Sequence, residues 1–219
     1  MAAALACTQG ESGPLTTLQD SASYAVGQNM GGSIREVRGE IDLDQVMQGI
    51  RDAAEGRDGR LTPQEAQRVL MAYGQEVQER QATRRAAEAD SNTTAGEAYR
   101  AENAKRAGVT TTPSGLQYEV LTAGTGPRPT ATSTVQVHYV GTLIDGKEFD
   151  NSRAGGEPVT FALNEVIPGW SEAVQLMPVG GKYRFVIAPE IGYGPAGSPP
   201  DIGPNATLIF EVELLNIVQ

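Results

Sequence analysis

The stretch Val-Ile-Pro-Gly-Trp at residues 166–170 decides how the second half of this chain is organised. It follows an apolar run and precedes residues 171–176, whose composition predicts one or two turns of helix. Trp170 is the only tryptophan in the chain, and the Pro-Gly pair before it fixes the path of the backbone. In a small β domain this indole can form the base of a pocket, with Val166 and Ile167 on its lip.

The sequence around this stretch predicts an antiparallel sheet. From Gly108 onward, β-branched residues and turn pairs replace helical periodicity, and Asp-Gly at 145–146 is a hairpin signal. We expect five or six strands and one short helix near Trp170, which together make an α+β domain over residues 109–219. The expected strands cover residues 116–121, 134–143, 148–150, 159–163, 182–187 and 207–214.

Helical periodicity dominates the first half. Apolar residues recur every three or four positions from Leu15 to Gly39, and a second pattern over residues 41–54 has Asp42 or Asp44 as its candidate N-cap. A third helix has the clearest start, because Thr-Pro-Gln-Glu at 62–65 is a capping box with proline at the first helical position.

The third helix is predicted to be long and polar on all sides after its first turns. Such a helix either bridges domains through solvent or is unstable, so a flexible linker over the polar stretch from Glu79 onward is the alternative. Residues 91–94 are poor helix formers, so any kink or break in this helix is expected there.

Residues 15–75 are too few to bury a solid core by themselves. Their narrow apolar stripes would be better covered by a second copy of the chain. We therefore interpret 15–61 as a helical dimerisation domain, 62–108 as a connecting helix and the protein as a homodimer through its N-terminal helices.

The first 14 residues have no periodicity and are interpreted as a flexible tether or signal remnant. The small residues before Cys7 resemble the end of a bacterial lipoprotein signal, although a basic region and a longer apolar core are absent. We expect an exported protein of the periplasm or outer membrane, with membrane attachment only through a lipid on Cys7. A plain disordered N-terminus is the alternative.

Composition excludes several function classes. A net charge of −10 argues against nucleic-acid binding, which needs lysine and arginine to displace counterions. The only histidine, His138, is interpreted as structural, and one histidine makes a zinc site improbable. Residues 58–65 match half of a calcium-binding loop, but Ala54 and Gly56 lack the oxygen ligands it needs. We expect no metal and no cofactor.

Five ordered motifs in the second half resemble the FKBP-type peptidyl-prolyl cis-trans isomerases. They are Val-His-Tyr-Val-Gly at 137–141, Asp-Gly-Lys-Glu-Phe-Asp-Asn-Ser at 145–152, Val-Ile-Pro-Gly-Trp at 166–170, Ala-Pro-Glu-Ile-Gly-Tyr-Gly at 188–194 and Asn-Ala-Thr-Leu-Ile-Phe at 205–210. The first half is similar to the Mip-like (macrophage infectivity potentiator) subgroup. Residues 95–103 and 113–118 carry that closer resemblance, which favours the long helix over the linker.

The resemblance implies an FKBP-like sheet wrapped on a short helix and a shallow pocket that receives proline. Trp170 would be its floor, Asp150 and Tyr193 would supply polar contacts, and the Ile167 N–H would bind a substrate carbonyl. The implied catalytic residues are Asp150, Tyr193, Phe149 and Trp170, and the implied substrate-binding residues are Tyr139, Val166, Ile167, Ile202 and Phe210. Phe161 and Phe185 are expected to belong to the core alone.

The resemblance also implies partners. Unfolded or proline-containing polypeptides would be substrates, and macrolides such as FK506 and rapamycin would be inhibitors. Val159, Ser198 and Asp201 depart from residues common at the rim in the family, which leaves substrate preference and macrolide affinity open. The competing function is a dimeric holdase chaperone with incidental isomerase activity, and a purely structural role is the third interpretation.

Overall fold

The computed structural model describes residues 13–35 and 39–218 of the 219-residue chain. The interpretations of Cys7 and of nearly all of the tether therefore lie outside the described residues. Of the residues described, those up to Met71 form one compact unit and those from Ala72 onward form the other. No helix in the described ranges is both long and apolar enough to cross a membrane.

Helix α1 (Leu18–Ile34) begins three residues after the predicted apolar pattern does. The reason is a capping box that the pattern did not reveal, in which the Thr17 side chain accepts from the Asp20 N–H and Asp20 accepts from the Thr17 N–H. Helix α2 (Leu43–Ala54) starts at the predicted cap, because Asp42 accepts from the backbone N–H groups of Asp44 and Gln45.

Helix α3 (Pro63–Asn103) runs without a break through residues 91–94. Its predicted capping box is present, with Thr62 and Glu65 each accepting from the other's backbone N–H. Two of the poor helix formers have their side chains occupied: Thr93 donates to the carbonyl of Ala89, and Asn92 donates to that of Pro204. The Asn92 side chain is therefore bonded away from the local backbone of the helix, whereas Thr93 shares the Ala89 carbonyl in an i−4 contact that leaves the helix unbroken.

The described residues after α3 form one antiparallel sheet of seven strands in the order β1-β2-β6-β7-β3-β4, with β5 paired to β3. The expected five or six strands were too few, because β1 has only three residues and no clear alternation of burial. The strands are β1 (Val109–Thr111), β2 (Gln117–Thr122), β3 (Thr134–Leu143), β4 (Glu148–Asn151), β5 (Val159–Ala162), β6 (Lys182–Ile187) and β7 (Leu208–Val218).

Helix α4 (Pro168–Gln175) covers the apolar face of this sheet. Trp170, Ala173 and Val174 of α4 join a buried cluster with alternate residues of β3 and β7, and Phe185 lies in this core as predicted. Three short 3-10 helices complete the domain, at Ser152–Gly155, Pro189–Ile191 and Gly194–Ala196.

The last turns of α3 are packed against the sheet domain, which corrects the expectation that this helix is polar and solvated on all sides. Gly96 and Asn103 are buried. The Asn103 amide donates to Gln117 at 2.8 Å, and Gln117 donates to the carbonyl of Arg100 at 2.9 Å. The polar side chains on this face have protein partners, so their polarity does not indicate exposure to water.

Candidate functional site

A cavity of about 470 Å³ opens above Trp170, between α4, the strands β3, β4, β5 and β7, and residues 193–202. The structure places all nine sequence-predicted site residues around this one cavity, and their individual roles remain predictions. The cavity is lined by Tyr139, Phe149, Asp150, Phe161, Glu165, Val166, Ile167, Trp170, Tyr193, Ser198, Pro199, Pro200, Asp201, Ile202 and Phe210.

Trp170 forms the floor because of how α4 begins. Ile167 is the N-cap and Pro168 occupies the first turn, where its missing N–H costs no hydrogen bond. A Cβ on Gly169 would lie 2.7 Å from a methyl group of Ile187, so only glycine lets the first turn approach β6 this closely. The indole is 5 % exposed.

Three aromatic rings pack edge-to-face against the indole, and a fourth packs edge-to-face against one of these three. The centroid of Trp170 lies 5.2 Å from that of Tyr139, 5.3 Å from that of Phe210 and 5.6 Å from that of Phe161. Phe149 meets Phe210 at 5.4 Å and 86°. These separations are those that aromatic pairs favour, so the rings hold one another in place.

Phe161 corrects the sequence analysis, which assigned it to the core alone. It is half-buried on β5 and lines the cavity beside the indole. The core and the cavity lie on the same face of the sheet. The alternation of side chains along β5 predicts that Phe161 is on that face, but it does not distinguish a core position from a cavity position. Glu165 and the Pro199-Pro200 pair were also missed, and no pattern in the sequence marked them.

The polar groups of the wall are joined by one short hydrogen bond, in which the Tyr139 hydroxyl donates to Oδ2 of Asp150 at 2.6 Å. Burial and, after it, this hydrogen bond raise the pKa of Tyr139 well above its ordinary value. Burial and the nearby Asp150 charge also raise the pKa of Tyr193. Both phenols are therefore protonated donors at neutral pH, and Tyr193 is 39 % exposed toward solvent.

The rim of the cavity combines charged and apolar residues. Ser198 and Asp201 line it as expected, whereas Val159 packs against the core and is not among the lining residues. Lys147, from the turn before β4, reaches the Asp201 carboxylate at 3.2 Å. Ile202 is 5 % exposed and anchors the rim in the core.

One backbone donor at the lip is unused. Within the described part of the chain, the Ile167 N–H has no protein acceptor, while its carbonyl accepts from Trp170 and Ser171. A donor beside an apolar cavity is suited to bind the carbonyl of an extended peptide.

His138 lies outside the cavity lining. Its Nδ1 is 3.1 Å from Oγ of Ser152, which also accepts from the Tyr139 N–H at 2.8 Å. These contacts hold the end of β4 against β3. Over residues 13–35 and 39–218, no group of three or more His, Cys, Asp and Glu side chains is arranged to hold a metal ion. The arrangement around Trp170 can thus bind and orient a ligand, and no side chain in it is arranged as an activated nucleophile.

Comparison with known proteins assigns both halves of the chain. The family model of FKBP-type peptidyl-prolyl cis-trans isomerases matches residues 126–215, and the model of the domain amino terminal to these isomerases matches residues 19–120. The chain is similar to the FKBP-type peptidyl-prolyl cis-trans isomerase FkpA of Aeromonas hydrophila, with 43% identity over 92% of this chain and 77% of that protein.

Two further relatives extend the similarity. The outer membrane protein MIP of Legionella longbeachae is 36% identical over 99% of this chain and 92% of its own length. The crystal structure of FkpA from Escherichia coli superimposes with a TM-score of 0.71 at 40% identity, covering 93% of this chain and 98% of that one.

Proposed function

Because the chain belongs to the FKBP-type peptidyl-prolyl cis-trans isomerase family, it is an enzyme that accelerates X–Pro isomerisation, and we propose that the reaction takes place over Trp170. The observation that supports this site is the packing of the Tyr139, Phe161 and Phe210 rings around Trp170 on one side of the cavity. A proline ring is small, apolar and flat enough to lie against the indole. The remaining rings then exclude water from its peptide bond.

The chemistry of the substrate explains why such a site suffices. Amide resonance creates a rotation barrier of about 18–20 kcal/mol. X–Pro is the bond whose cis form is substantially populated, so it is the bond worth catalysing. The twisted amide has lost resonance and carries less charge separation than the planar one. An apolar site favours the twisted amide over the planar amide, because the planar amide loses its hydration on entry. The site therefore binds the transition state more tightly than the substrate, without covalent chemistry.

The polar groups at the edge complete the proposed mechanism. The Ile167 N–H binds a substrate carbonyl and holds the peptide while the proline ring stays on Trp170. The protonated Tyr193 hydroxyl donates to a second carbonyl. Asp150 accepts from Tyr139 and so fixes the orientation of that wall of the pocket.

One experiment tests this placement and separates it from the holdase interpretation. X–Pro isomerisation of a short peptide is measured for the wild type, Asp150→Leu and Trp170→Ala, with aggregation suppression measured in parallel. We expect both variants to lose most of their isomerase activity. Asp90→Leu is the matched control, because Asp90 is exposed on α3 and should leave activity unchanged. Near-background isomerisation by the wild type with full suppression of aggregation would favour a holdase instead.

We propose that the protein is a homodimer through its first unit. Among residues 13–32, 34–35 and 39–71 no side chain is buried, and many large apolar side chains are exposed. A Cβ added to Gly27, Gly31 or Gly32 of α1 would meet nothing within 4 Å, so space for a partner helix is open above them. The exposed apolar residues are Leu15, Leu18, Tyr24, Val26, Met30, Leu43, Met47, Leu61, Val69, Leu70 and Met71.

We further propose that the protein is exported to the periplasm or outer membrane and that Cys7 carries a lipid. Two observations support this: the name of the Legionella longbeachae relative, an outer membrane protein, and the small residues that precede Cys7. The mass of the native N-terminal peptide tests the lipid directly. An unmodified Cys7 in the mature protein would contradict the anchor.

Macrolide binding is proposed for the same cavity, since FK506 and rapamycin are apolar ligands of the family. Ser198 and Asp201 depart from residues that are common at the rim in the family, so we expect weaker binding than a family member with apolar rim residues shows. Calorimetric titration of the wild type and Asp201→Leu measures this, and the variant should bind more tightly.

A further inference from the structure

A loop on one side of the cavity is closed upon itself. We call residues 194–207 the rim segment, since its residues 198–202 line the cavity. The Asn205 N–H donates to the carbonyl of Gly194 at 2.9 Å, which joins the two ends of the segment. Ser198 and Ile202 exchange both backbone hydrogen bonds, at 2.8 and 3.0 Å. The rim segment is therefore a loop with its own internal geometry, and its position is set by the buried Ile202, by the contact of Lys147 with Asp201 and by helix α3.

Helix α3 contacts the rim segment through residues that do not line the cavity. The Arg85 guanidinium donates to the carbonyl of Ala196 at 2.6 Å. The Asn92 amide donates to the carbonyl of Pro204 at 2.9 Å. The Asn205 amide donates in turn to the Thr93 hydroxyl at 3.2 Å. Three hydrogen bonds thus join two turns of one helix to both ends of the loop.

The backbone conformation of Asn205 allows it to make this contact. It has φ = +54°, a left-handed conformation that asparagine tolerates better than most residues. In that conformation its backbone N–H closes the loop and its side chain reaches α3. The same residue therefore couples the internal closure of the rim segment to its attachment on the helix.

Close packing reinforces the hydrogen bonds. A Cβ on Gly203 would collide with the Glu88 carboxylate and lie 3.1 Å from Nδ2 of Asn92. A Cβ on Gly96 would collide with the hydroxyl of Thr207. Gly96 thus permits a close approach of α3 to Thr207, and a side chain at position 203 would require the Glu88 side chain to move. One turn further along the helix, Arg100 donates to that hydroxyl at 3.0 Å.

The spacing shows that one face of the helix makes all these contacts. Positions 85, 88, 92, 96 and 100 recur at intervals of three or four residues, which places them on one side of an α-helix, with Thr93 at the edge of that side. Thr207 immediately precedes β7, which carries the cavity residue Phe210. The helix face therefore borders both the rim segment and the start of a wall strand.

We propose that this face of α3 is a positioning element for the isomerase reaction, which holds the rim segment at the height over Trp170 that a bound X–Pro peptide requires. The inference rests on the proposed placement of the reaction in this cavity. Arg85, Asn92 and Thr93 are positioning residues, since none of them lines the cavity. Their effect on catalysis passes through Ser198 to Ile202, which contact the residues flanking the proline.

The test removes the hydrogen bonds and keeps the fold. In Asn92→Asp the shape of the side chain is retained, but the donor to Pro204 is replaced by a carboxylate oxygen. Arg85→Ala removes the donor to Ala196, and Arg85→Lys restores a cationic donor. The matched control is Tyr99→Phe, which removes the 2.9 Å hydrogen bond between Arg184 and Tyr99, a contact of the same helix with β6 that does not reach the rim segment.

KM and kcat for X–Pro isomerisation of a tetrapeptide are measured separately for the full-length variants, with thermal unfolding as the check on folding. The Arg85→Ala/Asn92→Asp double variant should raise KM about three- to tenfold and change kcat less than about twofold, since a displaced binding group weakens ground-state and transition-state binding together. Arg85→Lys should recover part of the loss. Tyr99→Phe should leave both constants unchanged.

Two outcomes overturn the positioning role. The first is a double variant that unfolds like the wild type and has the wild-type KM. The second is an equal rise in KM in Tyr99→Phe, which would indicate general loosening of the domain. If the wild type, the double variant and Trp170→Ala are all equally active, the placement of the reaction over Trp170 is wrong. If Trp170→Ala alone loses activity while thermal unfolding shows that it is folded at the assay temperature, the placement stands and only the positioning role fails.

Discussion

Tyr139 and Asp150 form a 2.6 Å hydrogen bond between neighbouring strands on the wall of the cavity. Gly141 is paired with Asp150 in the β3–β4 register, so the two side chains approach diagonally across the strand pair. The phenol is 7 % exposed, whereas Asp150 is largely exposed. The bond therefore links a buried donor to a carboxylate that water also reaches, and it keeps the tyrosine ring in one orientation against Trp170.

We predict that Tyr139→Phe lowers the free energy of unfolding by about 1 kcal/mol, the usual net value of a hydrogen bond, and reduces kcat/KM several-fold. The raised pKa of Tyr139 adds a pH signature. Folded Tyr139 keeps its proton at pH values where a tyrosine of the unfolded chain, with a pKa of about 10, has lost it. Its contribution is complete below about pH 10 and declines above that pH.

Urea unfolding of the wild type and Tyr139→Phe between pH 7 and pH 11 measures both effects. The wild type should lose stability as the pH rises above about 10, and the variant should lose less over the same interval. Parallel curves for the two proteins would contradict the assignment. Tyr193→Phe should also flatten the curve, because burial raises the pKa of Tyr193 as well.

Trp170 should matter to both stability and activity. Trp170→Ala removes a ring that is 5 % exposed and packed edge-to-face on three others, and we expect a loss of about 3–5 kcal/mol in unfolding free energy. Trp170→Phe keeps an aromatic floor and should retain more activity and more stability. Chemical unfolding and peptide kinetics are measured together.

The matched control for Trp170 is Phe185→Leu. Phe185 is 1 % exposed in the same core but does not line the cavity. The substitution should cost about 1 kcal/mol or slightly more and leave KM unchanged. A rise in KM in Phe185→Leu equal to that in Trp170→Phe would mean that the kinetic effect reports core stability and not contact with proline.

Gly141 is predicted to set the positions of two wall rings. It is paired with Asp150 on one side and with Phe210 on the other. A Cβ there would lie 2.7 Å from the Phe149 ring and 2.8 Å from the Phe210 ring. Gly141→Ala should therefore displace both rings and lower kcat/KM, by about tenfold if the rings move by an ångström.

Gly155→Ala is the control for this glycine, because a Cβ at Gly155 meets nothing within 4 Å and its φ is not in the left-handed region. It should have wild-type kinetics and stability within about 0.5 kcal/mol. Wild-type kinetics in Gly141→Ala would show that the two rings can move without harm to the reaction.

The sequence predicts some of these features well for a physical reason. The predicted first and last residues of strand β3 are the observed ones, because its inward side chains alternate with outward ones over ten positions. The capping box at Thr62 is equally local. Eight of the nine site residues lie in the family motifs, whereas Ile202 lies between two of them, and neither periodicity nor composition would have brought the nine to one cavity.

What the sequence does not show depends on contacts between distant residues. Asn92 and Pro204 are 112 positions apart, and a polar residue on a helix does not reveal whether its partner is water or a carbonyl of a folded loop. Phe161 illustrates the same limit, since the alternation of β5 places it on the covered face without showing the cavity there. Strand β1 was missed because three residues are too few for a period.

The exposed apolar residues of the first unit predict the oligomeric state. Light scattering of the wild type should give twice the 23.1 kDa chain mass. Leu70→Glu/Met71→Glu places two charges on side chains that are 70 % and 60 % exposed in the single chain, and it should shift the mass toward that of a monomer. Burying two unpaired carboxylates in an interface is strongly unfavourable.

Leu121→Glu is the matched control for the dimer. Leu121 is 41 % exposed in the second unit, so this charge should leave the mass at twice that of the chain. A wild type of single-chain mass at all concentrations would contradict the homodimer. A shift caused by Leu121→Glu would place an interface on the isomerase domain instead.

The charges at the mouth of the cavity predict a preference among substrates. Three carboxylates line it, those of Asp150, Glu165 and Asp201, and the lining residues include no lysine or arginine. Lys147 neutralises one of them through its 3.2 Å contact with Asp201. Peptides with lysine before proline should therefore be better substrates than peptides with glutamate, by about two- to fivefold in kcat/KM at low salt.

Single substitutions at the mouth should move this ratio in opposite directions. Glu165→Gln removes an acidic neighbour and should reduce the preference for lysine, whereas Lys147→Gln leaves Asp201 unpaired and should increase it. Glu172→Gln is the control, since Glu172 bonds to Ser114 and does not line the cavity. Because exposed charges are screened, 0.5 M salt (a Debye length of about 4 Å) should bring all four ratios close to one. A ratio near one in the wild type at low salt, unchanged by either substitution, would show that the flanking residue binds beyond the reach of these carboxylates.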